Sequence, residues 1–264
     1  MPFARLAGTT IHYAHRPATG GAATVLFSNS LGTDFRIWGE TAEALPSELG
    51  LVFYDARGHG LTDLGHGERL DLHVADVAGL IDRLEIERVV FCGLSVGGVI
   101  GQAFAATHSH ALAALVLCCT AARVGTAEAW DERIRTVREK GLEALAGPVM
   151  ERWFSTSFRA AEPEMIAGMT NMLVRQPAEG YAAICRMLRD TDLTAGAAGI
   201  TVPTLGVACT EDGSTPPDLV KGTVERIPGA SFALIEGVGH IPCVERPREL
   251  AEILLAFLAE RGLS

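Results

Sequence analysis

The sequence predicts an α/β fold, a mostly parallel, doubly wound sheet with a helical cap inserted in it, and three observations carry that expectation. Six short runs, at 24–28, 51–54, 88–92, 115–119, 204–208 and 232–235, are nearly continuous apolar stretches. Strands covered on both faces by helices read this way. Amphipathic segments lie between the runs, and a repeated strand-helix-strand order implies right-handed crossovers. The rhythm breaks between residues 122 and 201, where helical patterns continue without a convincing strand.

Taken in order, Thr10, Ile11, His12, Tyr13 and Ala14 alternate in polarity and predict an antiparallel edge strand at the start. Val77, Leu80, Ile81 and Leu84 recur at i, i+3, i+4 and i+7, which puts one apolar stripe on a helix over 71–84. Leu250, Ile253, Leu254 and Leu258 do the same near the C-terminus. The 122–201 stretch contains Trp130, Trp153, Met165, Met169 and Met172. It reads as a helical cap over the C-terminal edge of the sheet, where open α/β folds bind ligands, with apolar residues for a lid. The core is then 1–121 and 202–264, and the Ala/Gly-rich patch 195–199 reads as the hinge returning to it.

Composition narrows the function. The chain has 264 residues, 48% hydrophobic and 20% charged, which suits one large folded domain. A net charge of −10 argues against a nucleic-acid partner, which needs a basic stripe. It leaves room for an anionic small substrate, because one or two arginines set the field inside a pocket. No apolar stretch approaches membrane-spanning length and the N-terminus has no apolar signal core, so a cytoplasmic protein is expected. The six cysteines show no C-x-x-C spacing and fit neither a zinc site nor a disulfide framework; they read as small buried hydrophobes.

The strongest chemical signal is Gly93, Leu94, Ser95, Val96 and Gly97, a G-x-S-x-G between an apolar strand and a helical run. That spacing sets a nucleophilic serine on a sharp strand-to-helix turn, as in the α/β-hydrolase fold. Small neighbours permit the tight approach, and the helix N-terminus points its dipole at the reacting oxygen. A serine needs a base. In this fold the acid and then the histidine follow the serine, and of eight histidines only His108, His110 and His240 do so. His108 and His110 end the helix that starts at the turn, a helix length away. His240, in a loop after the last strand, is the expected base.

The acid should end the preceding strand, where Glu211 and Asp212 both stand. Strand alternation favours Asp212, which precedes a glycine turn and can point back at His240. Its task is to fix the imidazole tautomer and stabilise the imidazolium. Two N–H donors must hold the oxyanion. They are expected from Val96, after the nucleophile, and from Leu31, in the loop Asn29, Ser30, Leu31, Gly32. Asn29 and Ser30 either hold that loop or touch substrate. The segment Asp55, Ala56, Arg57, Gly58, His59, Gly60 reads as a structural turn, with Asp55 and Arg57 bonding loops together. It lacks the third glycine of a dinucleotide fingerprint. No metal or cofactor is expected.

The chain resembles the 3-oxoadipate enol-lactonases nearly end to end. The resemblance rests on Ser28 to Thr33 (Ser-Asn-Ser-Leu-Gly-Thr) with Trp38, on Tyr54 to Gly60, and on Gly93 to Gly98 followed by Ile100, Gly101 and Gln102. It continues through Leu117 to Ala122, Arg152 to Phe154, Glu211 to Pro217 and Gly239 to Glu245. Cys119 departs from it, standing where asparagine is expected. The resemblance implies that Ser95 opens an enol-lactone, with an enolate leaving group and water clearing the acyl-enzyme through His240. It also implies an anionic lactone as substrate. A buried carboxylate needs a cation, and Arg133, one turn from Trp130, is the first choice, with Arg152 beside Trp153 second. Other ester, lactone or carbon–carbon bond hydrolases of this fold are the rivals, with a non-catalytic binding protein a remoter one. Ser95 excludes a haloalkane dehalogenase, which needs a carboxylate nucleophile, and a dienelactone hydrolase, which needs a cysteine.

Overall fold

The computed structural model describes residues 2–263. Eight strands form one sheet in the order β1-β2-β4-β3-β5-β6-β7-β8. They are β1 (Phe3–Leu6), β2 (Thr9–Arg16), β3 (Thr24–Ser28), β4 (Gly50–Tyr54), β5 (Val89–Leu94), β6 (Leu112–Cys118), β7 (Thr204–Cys209) and β8 (Ser231–Ile235). β2 pairs antiparallel with β1 and β4, and every pairing from β4 to β8 is parallel. Six of the eight strands coincide with the apolar runs.

Helices cover the sheet and fill the insertion. They are α1 (Gly39–Glu43), α2 (Leu70–Arg83), α3 (Val96–His108), α4 (Ala127–Lys140), α5 (Ala146–Trp153), α6 (Thr156–Ala161), α7 (Pro163–Val174), α8 (Ala178–Asp190), α9 (Pro217–Val224), α10 (Pro242–Glu245) and α11 (Pro247–Glu260). The stripe expected over 71–84 sits on α2, whose Val77, Leu80 and Ile81 are buried. Between β6 and β7 there are helices and turns and, among the described residues, no strand.

The period-2 alternation of each inner strand feeds two apolar layers. In β5, Val90, Cys92 and Leu94 join the layer shared with α11 (Leu250, Leu254) and the insertion (Trp153, Tyr181). Val89 and Phe91 join the opposite layer, against Val77 and Leu80 of α2 and Ile100 and Phe104 of α3. Fully burying side chains of this size stabilises by about 1.5–3 kcal/mol each, which is why apolar runs become central strands.

Two expectations need correction. The strand at 10–14 is not the edge: β1 lies outside it, and Phe3, Ala4, Arg5 and Leu6 pair with it. That segment is too short and mixed to register as a strand from periodicity. The run at 232–235 is not buried on both faces, since Phe232 and Leu234 are 37% and 42% exposed. β8 has β7 as its one strand partner and shows every second side chain to solvent.

The interior also holds imidazoles. His73 on α2 is fully buried, bonds Gly67 O through Nε2 at 3.0 Å, and leaves Nδ1 without a partner. Burial pushes His73 and His59 each down to about 4. As pH falls below about 6.5 the unfolded chain takes up protons at these sites and the folded chain does not, until about pH 4. Unfolding is therefore favoured across that window, by up to about 3 kcal/mol per histidine. The urea midpoint should drop between pH 7 and pH 4.5, and His73→Gln, which keeps a donor for Gly67 O, should flatten that drop measurably.

Candidate active site

The parallel strands bring their C-terminal ends to one edge, and the site is assembled there. β5 turns into α3 at Ser95, whose backbone sits at φ 57° and ψ −117°. A non-glycine residue in such a region costs on the order of 1–3 kcal/mol and persists only when its surroundings dictate it. Here they do. Ser95 N–H donates to Cys118 O at 2.9 Å, and Thr120 Oγ donates to Ser95 O at 2.6 Å. A Cβ on Gly97 would collide with Ser28 O, and one on Gly98 with the Thr120 side chain. Gly97 and Gly98 are thus set by contact with the end of β3 on one side and the segment after β6 on the other, whereas a Cβ on Gly93 would collide with Gly97 O across the turn itself.

The loop after β3 is tied to this turn. Gly97 N–H donates to Asn29 O at 3.1 Å. Asn29 is buried, donates from Nδ2 to Tyr54 O at 2.8 Å, and accepts from Trp38 Nε1 at 2.9 Å. Asn29 therefore holds the loop, while Ser30 and Leu31 line the cavity beside Ser95 and Val96. Neither Leu31 N–H nor Val96 N–H has a hydrogen-bond partner among the described residues. Val96 is the first residue of α3, where helical geometry leaves the N–H free.

His240 lies on the loop after β8 and lines the same cavity. Its Nδ1 is 2.8 Å from Asp212 Oδ2, and both side chains are buried. The carboxylate also accepts from Ser214 N, Thr215 N and Thr215 Oγ at 2.7, 2.9 and 2.7 Å. Burial would raise the Asp212 carboxyl, but His240 and the Thr215 donors outweigh it and hold the group below its ordinary value. The anionic acceptor fixes the Nδ1–H tautomer and leaves Nε2 for chemistry. Glu211 is exposed and accepts from Thr156 N at 3.3 Å, away from His240. His108 and His110 are at the far end of α3 and outside the cavity.

The cap supplies the opposite wall. Trp130, Arg133, Arg152, Trp153 and Tyr181 line it. The Arg133 guanidinium lies 5.0 Å over the Trp130 ring. Among the described residues neither Arg133 nor Arg152 has a carboxylate within ion-pair distance; Asp131 pairs with Arg189 and Glu132 with Arg135, and Glu151 acts on Arg152 only from beyond that distance. Burial and the like charge of Arg133 lower Arg152 from its ordinary value. The methionines behave differently from the expected lid. Met165, Met169 and Met172 line a separate groove against Phe35 and Leu61, because α7 turns that face away from the cavity.

Cys119 is buried behind the Asp212–His240 pair at φ 44°, with its thiol on Cys209 Sγ at 3.6 Å, and it does not line the cavity. Donor atoms of Cys119, Asp212 and His240 lie within 4.8 Å of one another. A metal there would have to break the Asp212–His240 bond. All six cysteines are free and buried.

The family model described as "Alpha/beta hydrolase family" matches residues 21–253. The chain belongs to the alpha/beta hydrolase family. This hydrolase is 33% identical to 3-oxoadipate enol-lactonase 2 of Acinetobacter baylyi over 90% of its own length and 87% of that protein's. It superposes on the enol-lactonase of Burkholderia xenovorans with a TM-score of 0.94 and 36% identity, covering 98% of this chain and 100% of that one. An esterase of Thermogutta terrifontis is similar at 27% identity and a TM-score of 0.89, over 96% of this chain and 94% of that one.

Sequence reasoning places His59 in a structural turn and does not assign a bracing role to it, to Thr215 or to Glu245. Thr215 braces Asp212. Glu245 accepts from Gly239 N at 3.0 Å and Ser155 N at 3.2 Å, fastening the His240 loop to the cap. His59 touches the Leu31 loop through Gly32. No periodicity marks such residues; their signal is burial of a polar group, which appears only in three dimensions. In this hydrolase Asp212→Asn should lower kcat on an aryl ester by about four orders of magnitude, as removing a tautomer-fixing carboxylate does elsewhere. Glu211→Gln should change it less than twofold, and the reverse pattern would reassign the acid.

Proposed function

We propose that this hydrolase opens the enol-lactone of 3-oxoadipate, giving 3-oxoadipate, through a Ser95 acyl-enzyme in the β-ketoadipate pathway of aromatic catabolism. Similarity to enol-lactonases supports the reaction. The observation that carries the substrate class is the pair of arginines, Arg133 and Arg152, facing the cavity of Ser95 and His240 without a carboxylate partner. Two unneutralised cations in an acidic protein favour an anion there. Trp153 and Trp130 offer apolar surface beside them.

In this reading Ser95 Oγ attacks the lactone carbonyl while His240 Nε2 takes its proton. Asp212 steadies the imidazolium across the 2.8 Å contact without accepting the proton. Negative charge developing on the carbonyl oxygen meets Leu31 N–H and Val96 N–H, which have no other hydrogen-bond partner among the described residues. The ring C–O bond breaks to release an enolate or, with the proton returned from His240, an enol. That leaving group is better than an alkoxide, so general-acid assistance carries less of the barrier. Water activated by His240 then attacks the acyl-enzyme, and the enol becomes a ketone. No step calls for a metal or cofactor. Six free, buried cysteines support the proposal of a cytoplasmic location.

An ultraviolet assay of enol-lactone consumption tests the reaction directly. A higher kcat/KM on simple aryl esters than on the enol-lactone would make the protein a carboxylesterase instead. Ser95→Ala should fold and lose several orders of magnitude in kcat, with only the oxyanion hole and binding left; retention of a tenth of the activity would sink the nucleophile assignment. Arg133→Ala should lower kcat/KM for the anionic lactone and leave a neutral lactone nearly unchanged. Equal losses on both would mean that the arginine supports the cap and binds no carboxylate.

A further inference from the structure

His59 lies in the turn after β4 and is 1% exposed. Its Nδ1 is 3.2 Å from Arg57 O and its Nε2 is 3.0 Å from Gly32 N. A backbone carbonyl only accepts, so Nδ1 carries the hydrogen. Nε2 then presents a lone pair, and the Gly32 N–H donates to it. Both ring nitrogens are satisfied in one neutral tautomer. The imidazole is thus an acceptor aimed at the residue after Leu31.

The base of this contact is rigid. His59 N–H donates to Ala56 O at 3.0 Å, and Thr62 N–H donates to His59 O at 3.0 Å. Gly58 packs so closely on Gly180 of α8 that a Cβ there would lie 2.5 Å from Gly180 Cα. On the other side, Gly32 is held at φ 83°, and a Cβ would meet Leu173 at 2.7 Å and Tyr181 at 3.1 Å. The loop is therefore wedged between the cap and His59. Without an acceptor, Gly32 N–H would be a buried unpaired donor, which costs about 1–3 kcal/mol and favours rotation of its peptide plane. That rotation turns the torsions of Leu31, which lines the cavity and whose own N–H has no hydrogen-bond partner among the described residues.

We propose that His59 is a positioning residue for the oxyanion hole, its Nε2 lone pair fixing Gly32 N–H and through it the orientation of Leu31 N–H. The proposal rests on the acyl-enzyme reading above. Burial pushes the imidazole down to about 4, so the acceptor persists at neutral pH. The side chain touches no reacting atom. Its effect is confined to the step in which charge develops on the carbonyl oxygen, so it should act on kcat more than on KM.

The test compares His59→Leu and His59→Asn, which cannot present an acceptor at the Nε2 position, with His59→Gln, whose amide oxygen reaches it. Active sites are titrated with a fluorophosphonate, so that kcat refers to folded, labelled enzyme, and an aryl ester serves as substrate. His59→Leu and His59→Asn should lose about 30-fold in kcat, a fraction of what deleting an oxyanion donor costs, with KM within threefold. Affinity for a boronic acid that forms a tetrahedral adduct on Ser95 should fall by a similar factor. His59→Gln should recover most of both losses. Should His59→Leu fail to fold, His59→Asn against His59→Gln carries the comparison. An unchanged kcat per titrated site, an unchanged boronate affinity, or equal impairment of Asn and Gln variants would overturn the assignment and leave His59 a packing residue. Failure of the wild-type enzyme to label at Ser95 would show itself separately: it would overturn the acyl-enzyme reading, and the His59 assignment with it.

Discussion

The rest of the site depends on one steric constraint, the contact of Gly97 with the end of β3. Ser95 holds its strained backbone between the bonds to Cys118 O and Thr120 Oγ and the residues after it, which run directly against Ser28 and Asn29. That contact joins the strand-to-helix turn and the β3 loop into one body. Gly97 N–H donates to Asn29 O, so Val96 and Leu31 are separated by a fixed span rather than by two independent loops. Placement of the two N–H groups starts from this packing of backbone on backbone, and side chains such as Asn29 and His59 then hold the Leu31 loop against it. A methyl group at position 97 would act twice, straining Ser95 and pushing the Leu31 loop outward.

Behind that body lies a buried polar layer that would be costly if any member were missing. Ser28 Oγ meets Tyr54 Oη at 2.7 Å, and Asp55 accepts from Phe35 N and Leu61 N and binds His12 Nδ1. Arg57 and Asp76 form two hydrogen bonds of 2.6 Å, and Arg57 also donates to Thr9. Burial raises the Asp55 and Asp76 carboxyls, against their partners' pull in the other direction. Such pairs add little net stability over apolar packing, and breaking one costs about 3–5 kcal/mol. Their value is register: they tie β2, β4 and α2 to the turn that bears His59. An apolar layer would tolerate sliding where this one does not.

What could be read from the sequence follows from how local each cause is. The inner strands were legible because burial on both faces writes a continuous apolar run, and α2 because one buried face writes a 3.6-residue period. β1 and the open face of β8 were not, since edge strands answer to solvent on one side and carry a mixed pattern. Ser95 was legible because the strained turn demands small neighbours at fixed offsets. The proximity of Asp212 and His240 followed from chain order alone. Alternation along the strand favoured Asp212, and the structure points it inward, but its bonds to Ser214 and Thr215 belong to a turn rather than to an extended strand. Arg133 and Arg152 could be placed on the cap; that their neighbours Asp131 and Glu132 are occupied by other arginines could not. Pairing is decided among several candidates within reach, and sequence spacing does not rank them.

The acidic surface and the cationic cavity then become parts of one electrostatic arrangement. With a net charge of −10 the protein as a whole repels anions. Beyond a Debye length of about 8 Å at physiological ionic strength that repulsion is screened, whereas charges inside a cleft are not. The Arg133 guanidinium lies on the face of Trp130, a site that stabilises a cation without neutralising it. Burial and then the nearby charge of Arg133 disfavour the protonated form of Arg152. Two like charges held together in a half-buried wall are a standing cost, which on the proposed function an entering carboxylate relieves. The anion selectivity proposed above therefore needs no net positive protein, only two arginines that the fold leaves without an ion pair on the wall facing Ser95.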